Sequence, residues 1–173
     1  FHETGLPWVL PSPNMPTVDT ATVYGGMCLL EATNLSEGRG TTRPLELWGA
    51  PDLDASALLA RMEALAPDWL AGCRIRPCFF QPTFHKHVGR LCSGIQVHVD
   101  DPAYVHEAFR PYRLVALWLK AVRAWRADYP LWRDFAYEYE IGKLAIDVID
   151  GGPGLRTWVD DAVATPADFD AGL

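Results

Sequence analysis

The sequence has no hydrophobic run long enough to cross a lipid bilayer. A membrane-spanning helix needs about 18 or more successive apolar residues, and the longest apolar stretch, 114–125, is interrupted by Lys120 and Arg123. Positive charge is also scarce, because 15 Lys and Arg residues face 22 Asp and Glu residues, for a formal net charge of −7. An acidic surface repels phosphate backbones. We therefore expect neither a membrane span nor a nucleic-acid partner.

An initiating methionine and a secretory signal peptide are also missing from the sequence. The chain begins at Phe1 in a stretch that is typical of a loop, and residues 165–173 have the same character. Its 173 residues are enough for one domain with a proper core. We therefore expect a single domain, 1–173, that belongs to a longer protein, with any targeting segment outside these residues.

Cysteine is infrequent and shows no spacing that is typical of a disulfide framework. The four residues are Cys28, Cys73, Cys78 and Cys92. Cys73 and Cys78 lie on one predicted strand at positions of opposite parity, so their side chains should point to opposite faces. We interpret the four as small buried hydrophobic residues. A disulfide remains possible if the protein is exported.

The order of the predicted elements indicates the fold class. Apolar or alternating patterns predict strands at 27–33, 44–48, 72–80 and 95–99. Helices are predicted at 55–65, from Pro111 to a point before Pro130, near 143–149 and near 155–162. Because strands and helices alternate irregularly, we predict an α+β fold. Its sheet should be mixed or largely antiparallel, and it should pack against one long and several short helices.

Glycine, carboxylates and guanidiniums are concentrated in the segment Glu31–Arg43. It holds two carboxylates and two arginines, and hydroxyl and amide side chains lie between them. Such mixtures bind sugars, because carboxylates and amides hydrogen-bond to hydroxyl groups. The alternative is a solvated surface loop with internal ion pairs. A phosphate-binding loop is less favoured, because no G-x-x-x-x-G-K-[ST] pattern is present.

A second polar cluster contains His85, Lys86 and His87. With His98 and Cys92 it would supply ligand types that zinc accepts. No carboxylate or further cysteine stands at a familiar ligand spacing, and a lysine separates the first two histidines. We favour histidines that hydrogen-bond to a ligand or a neighbour, and expect no metal.

Several longer motifs resemble one family. They are Pro11–Pro16 (PSPNMP), Tyr24, Glu31–Pro44 (EATNLSEGRGTTRP), Glu46, 49–51, 82–84, Lys86, 94–98 and 109–111. Together they resemble the NamZ-like exo-β-N-acetylmuramidases, which were first catalogued as a bacterial domain of unknown function. The likeness spans most of the chain and weakens after Tyr139. Departures occur at Gly25 or Gly26, Ala32 and His85, where the family favours Pro, Gly and Ser.

The resemblance implies a two-domain glycoside hydrolase. Its Rossmann-like N-terminal half is absent from this sequence, and the active-site cleft is expected between the halves. Such enzymes release N-acetylmuramic acid from the non-reducing ends of peptidoglycan fragments without a cofactor. We expect a bacterial, exported protein, periplasmic or extracellular, whose partners are a muramoyl saccharide and the missing domain. The isolated domain is expected to be inactive.

The resemblance and the chemistry together name candidate site residues. Glycoside hydrolysis needs an acid and a second carboxylate, and our candidates are Glu31, at the end of a predicted strand, and Glu37. The residues expected to bind substrate are Asn14, Asn34, Ser36, Arg39, Thr41, Arg43, Lys86, Gln96 and His98. Arg39 and Arg43 suit the lactyl carboxylate of muramic acid. Two alternatives are a non-catalytic glycan-binding module and a metal-dependent hydrolase built on the histidines.

Overall fold

A computed structural model describes residues 1–172 of the chain. The α-helices are α1 (Val18–Met27), α2 (Ala55–Leu65), α3 (Pro111–Trp125), α4 (Ala145–Ile149), α5 (Gly154–Asp160) and α6 (Pro166–Ala171). The strands are β1 (Leu47–Ala50), β2 (Arg74–Phe80) and β3 (Cys92–His98). Short 3₁₀ helices cover His2–Thr4, Cys28–Ala32 and Pro67–Leu70. The predicted α+β class is confirmed.

The three strands form an antiparallel sheet in the order β1-β3-β2. On one face Trp48 pairs in register with Ile95, and both are fully buried. The Trp48 ring meets Trp118 of α3 edge-on, with 6.3 Å between the ring centres. Because side chains alternate along a strand, the other face of the sheet carries different residues and is free to form a site.

Helix α3 supplies the centre of the hydrophobic core. It begins at Pro111, where a missing N–H costs nothing. The sequence predicts an apolar stripe on this helix that consists of Leu114, Val115, Trp118, Leu119, Val122 and Trp125, and its members from Leu114 to Val122 are buried. Trp125, the last predicted member of that stripe, is only half-buried. No helix among residues 1–172 is long and apolar enough to span a membrane.

Helix α1 was not predicted, because residues 17–24 carry no clear periodicity. Thr17 caps its N-terminus by accepting a hydrogen bond from the Thr20 N–H. Gly26 then lies against the start of α3, where an added Cβ would come within 2.2 Å of the Pro111 carbonyl oxygen. Only glycine allows this close approach between the two helices.

The strand predicted at 27–33 was wrong. Met27 ends α1, and the 3₁₀ helix Cys28–Ala32 follows directly. Leu29, Leu30 and Ala32 are buried, so the apolar run reflects burial on several sides. It contains no β-branched residue before Thr33 and is rich in helix formers. A short apolar run of this kind does not distinguish a strand from a buried helix.

The four cysteines are free thiols. Cys92 is fully buried, and the other three are half-buried. Burial raises the pKa of Cys73 and of Cys92 to about 11, so both remain protonated at neutral pH. The prediction of four buried cysteines therefore holds in full only for Cys92, while the other three pack, partly buried, against the hydrophobic clusters.

Candidate functional site

The two polar clusters of the sequence meet in the structure. The Gly40 carbonyl accepts hydrogen bonds from the Thr83 backbone N–H at 2.9 Å and from its hydroxyl at 2.8 Å. Gly40 has a φ of +82°, and an added Cβ would lie within 2.7 Å of the Phe84 nitrogen. This glycine is therefore required twice, once for its backbone conformation and once for the contact. The loop after Glu31 and the loop before Lys86 form one unit.

A third segment, 130–137, packs against the loop that follows Glu31. The Asn34 amide donates to the Pro130 carbonyl at 2.6 Å, and the Arg133 N–H donates to the Ala32 carbonyl at 3.0 Å. The three segments enclose a cleft of about 240 Å³. Its lining residues are Asn14, Glu31, Glu37, Arg39, Phe84, His85, Arg133, Phe135 and Tyr137. Below, "the cleft" means this set.

Arg39 bridges the two candidate catalytic carboxylates. Its Nη2 makes a short hydrogen bond to Glu31 Oε1, and its Nε donates to Glu37 Oε1 at 3.0 Å. Burial opposes the charge on this guanidinium, but the two carboxylates outweigh that effect and raise its pKa above the ordinary value. Arg39 therefore stays charged and fixes Glu31 and Glu37 relative to each other.

Glu37 is completely buried, with 0% of its side chain exposed. Lys86 lies against Glu37 with 8% of its own side chain exposed, and its Nζ is 2.8 Å from Glu37 Oε2. The ammonium also donates to the carbonyls of Leu30 at 2.7 Å and Leu35 at 3.0 Å. Burial lowers the pKa of Lys86, and the charge of Glu37 opposes that shift. Because the lysine donors point to backbone oxygens, its contact with Glu37 is mainly electrostatic.

Glu31 lies at the rim of the cleft and is accessible. Its side chain is 21% exposed, and the Tyr137 hydroxyl approaches its Oε2 at 3.4 Å. Burial, followed by the charge of Glu31, raises the pKa of Tyr137, so this phenol remains a hydrogen-bond donor. The sequence placed Glu31 at a strand end, whereas the structure places it in the 3₁₀ helix Cys28–Ala32, where Leu29, Leu30 and Ala32 are buried.

The three histidines occupy separate environments. His85 Nδ1 lies 3.3 Å from Glu37 Oε1, and burial, with nearby cations, lowers the His85 pKa. His87 Nε2 lies 2.7 Å from the Asn34 carbonyl oxygen. His98 receives a hydrogen bond from Arg76 at 3.0 Å. Within residues 1–172, no three His, Cys, Asp or Glu side chains are grouped so that they could hold a metal ion.

Three predicted substrate-binding residues lie within the loop scaffold. The Asn34 amide is directed to the backbone of segment 130–137, as described above. Ser36 is 1% exposed, and its hydroxyl accepts from the Gly38 N–H at 3.1 Å. The Thr41 hydroxyl donates to the Gly38 carbonyl at 2.6 Å. Their present contacts shape the loop, and a role in substrate binding stays a prediction.

Two other predicted residues line a second groove on the open face of the sheet. Its volume is about 720 Å³, and Arg43, Arg76, Gln96, Phe79 and Phe84 are among the residues that line it. Arg43 pairs with Glu46 at 3.1 Å, and Gln96 accepts a short hydrogen bond from Arg76. Phe84 lines both spaces. The groove therefore adjoins the cleft but is not part of it.

Sequence reasoning missed Arg133, Phe135 and Tyr137. All three line the cleft, on a segment just over a hundred residues beyond Glu31. A signal was present, because the three stand at every second position, and an extended chain places such residues on one side. The motifs that carry the resemblance end at 109–111, so they gave no help in this segment.

The chain matches a known family over most of its length. Residues 22–173 match the family model described as the C-terminal part of the exo-β-N-acetylmuramidase NamZ. The chain therefore belongs to the NamZ C-terminal family.

One curated relative and two solved structures are similar to the chain. The peptidoglycan β-N-acetylmuramidase NamZ of Bacillus subtilis (strain 168) is 50% identical over 101 residues, which are 58% of this chain and 24% of that protein. A DUF1343 family protein from Bacteroides fragilis matches 98% of this chain and 44% of its own, with a TM-score of 0.73 and 21% identity. A second one from the same organism covers 87% and 35%, with a TM-score of 0.54 and 20% identity. These two crystal structures support the fold alone. The chain spans less than half the length of each relative.

Proposed function

We propose that the chain is the C-terminal half of a two-domain glycoside hydrolase, an exo-β-N-acetylmuramidase. The full-length enzyme would hydrolyse terminal N-acetylmuramic acid from peptidoglycan fragments, and the cleft would form one wall of its active site. Family membership and the 50% identity to the Bacillus subtilis protein support this proposal. The observation that carries it is an accessible carboxylate, Glu31, held at the rim of a cleft by Arg39 and Tyr137.

Glu31 is a better candidate than Glu37 for contact with substrate. Glu37 is fully enclosed by Arg39, His85 and Lys86, so a sugar cannot reach it in this arrangement. Glu31 has one oxygen held by Arg39, while Tyr137 makes only a long contact with the other. That second oxygen is free to face an anomeric carbon or a leaving-group oxygen. Glu37 then acts as a buried counter-ion that positions Arg39.

The remaining catalytic group belongs to the other half of the enzyme under this proposal. A glycosidase uses two carboxyl groups on opposite sides of the bond it cleaves. Within residues 1–172, Glu31 is the exposed carboxylate of the cleft. We therefore propose a Rossmann-like N-terminal half that supplies the partner, and an isolated domain without activity. Because peptidoglycan lies outside the cytoplasm, we further propose that the protein is exported.

One observation favours a second candidate function, a non-catalytic muramoyl-binding module. Both carboxylates of the cleft contact Arg39, as they would in a site that only holds its ligand. Under that alternative all catalytic groups lie in the other half. If Glu31 is catalytic, its substitution lowers kcat. If this half only binds the ligand, the substitution raises KM and leaves kcat unchanged.

The test uses the full-length protein and its Glu31→Gln variant with a β-N-acetylmuramoyl chromogenic substrate. A catalytic role predicts that kcat falls about 10²–10⁴-fold, while thermal melting is little changed. Glu63→Gln, an exposed position on α2, is the matched control and should keep full activity. A higher KM with an unchanged kcat would contradict catalysis by Glu31 and favour the binding module.

A further inference from the structure

The charges of the cleft are not balanced. Glu31 and Glu37 contribute two negative charges, and each of them contacts Arg39. Lys86 lies against Glu37 from below. The two cations and two carboxylates therefore compensate each other. Arg133 adds a further positive charge at the cleft. Among residues 1–172, its guanidinium makes no hydrogen bond or ion pair and lies over the Phe135 ring.

The Arg133 guanidinium is held in place although it has no ionic partner. Its central carbon lies 4.3 Å from the centre of the Phe135 ring. A contact with the ring face uses no hydrogen-bond donor, so the N–H groups of the guanidinium stay available. The backbone N–H of the same residue donates to the Ala32 carbonyl at 3.0 Å, which ties it to the element that carries Glu31. The N–H donors of a guanidinium are suited to a planar anion with two oxygens, such as a carboxylate.

The positive charge of Arg133 affects ionisable groups in and beside the cleft. After burial, which is the largest cause, the charge of Arg133 contributes to the lowered pKa values of His85 and Lys86. The guanidinium lines the same cleft as Glu37, Arg39 and His85. A cation in this position repels further cations and favours an anionic ligand.

The other two arginines considered for this purpose are already engaged. Arg39 is committed to Glu31 and Glu37. Arg43 lines the neighbouring groove and pairs with Glu46. Each of them therefore already has a carboxylate that balances its charge, whereas Arg133 has none.

We propose that Arg133 binds the lactyl carboxylate of the muramoyl unit and is the specificity-determining residue of the cleft. This inference rests on the proposed function, since it assumes a muramoyl ligand. It assigns to Arg133 the recognition that the sequence alone assigned to Arg39 and Arg43. An amino sugar without the lactyl group, or with that group neutralised, would leave the guanidinium unpaired.

The experiment compares two ligands that differ in one charge. The full-length protein is assayed on a muramoyl glycoside and on its carboxamide analogue, in which the lactyl carboxylate is neutral. We expect the wild-type protein to prefer the carboxylate about ten- to a hundredfold in kcat/KM. Arg133→Met should remove this preference, mainly by slowing reaction of the charged substrate, and Arg133→Lys should restore part of it. The control is Arg126→Met, because Arg126 also stacks on a ring, Tyr129, at 4.4 Å but pairs with Asp52 outside the cleft.

An equal loss on both substrates in Arg133→Met would overturn the inference, because a purely structural role affects both alike. An unchanged preference would overturn it too, since another cation would then read the carboxylate. Binding of N-acetylmuramic acid and its carboxamide to the same variants, measured by calorimetry, decides the inference without catalysis. If the wild-type protein binds the charged sugar through Arg133 but releases no product, the proposed hydrolase fails and the Arg133 inference stands.

Discussion

Replacing Lys86 by methionine tests whether the buried charges hold the candidate site together. The substitution keeps the length of the side chain and removes its ammonium. Glu37, with 0% of its side chain exposed, then loses the cation 2.8 Å below it. The backbone carbonyls of Leu30 and Leu35 also lose a donor, at 2.7 and 3.0 Å. Removing one partner of a buried pair costs about 3–5 kcal/mol, because the other charge stays buried.

That cost is a large share of the stability of a domain, which is about 5–15 kcal/mol. For a domain of this size, each kcal/mol shifts the melting temperature by about 2–4 °C, so Lys86→Met should lower it by about 6–20 °C. Differential scanning calorimetry on the full-length protein measures the shift. The double variant Lys86→Met, Glu37→Gln should recover part of the loss, because the unpaired carboxylate is gone. A shift of under about 2 °C, or losses that simply add in the double variant, would refute the reasoning.

Two further predictions concern the loops of the cleft. Gly40→Ala should lower the melting temperature more than Gly89→Ala, because both have positive φ but only Gly40 lies against Phe84, at 2.7 Å from an added Cβ; equal shifts would mean that this contact does not matter. The stability of the His85→Gln variant relative to the wild-type protein should increase as the pH falls from about 7 to 5. The reason is that the lowered His85 pKa makes the unfolded chain bind protons first, near about 6.5, which destabilises the folded state below that pH. Thermal melts across this range measure the difference, and a constant difference would contradict the assignment.

Much of the fold was predictable because its patterns are local. Ile95 and Val97 are both fully buried, as the alternation along β3 indicated. The apolar stripe of α3 was predictable in the same way, because side chains on one face of a helix recur every 3.6 residues. The strand prediction for Met27–Thr33 was wrong because burial on several sides removes the periodicity of the apolar residues. Helix α6 was also missed, since Pro166–Ala171 is too short for its pattern to be recognised.

The candidate site was predictable only in part. Glu31, Glu37 and Arg39 lie close together in the sequence, and the structure brings them to one cleft together with Asn14. Arg133 reaches the same cleft through backbone hydrogen bonds that join distant segments. Local sequence patterns do not contain such contacts. The sequence also raised internal ion pairs in this segment as an alternative, but it did not identify the partners, because the contact of Arg39 with both carboxylates depends on how the loop folds.

The most direct measurement is a crystal structure of the full-length Glu31→Gln protein with an N-acetylmuramoyl disaccharide bound. We predict that the terminal sugar occupies the cleft, with the side chain at position 31 about 3 Å from the glycosidic oxygen or the anomeric carbon. A sugar bound only in the neighbouring groove, or one that lies beyond reach of position 31, would contradict the proposal that this cleft forms one wall of a muramidase active site.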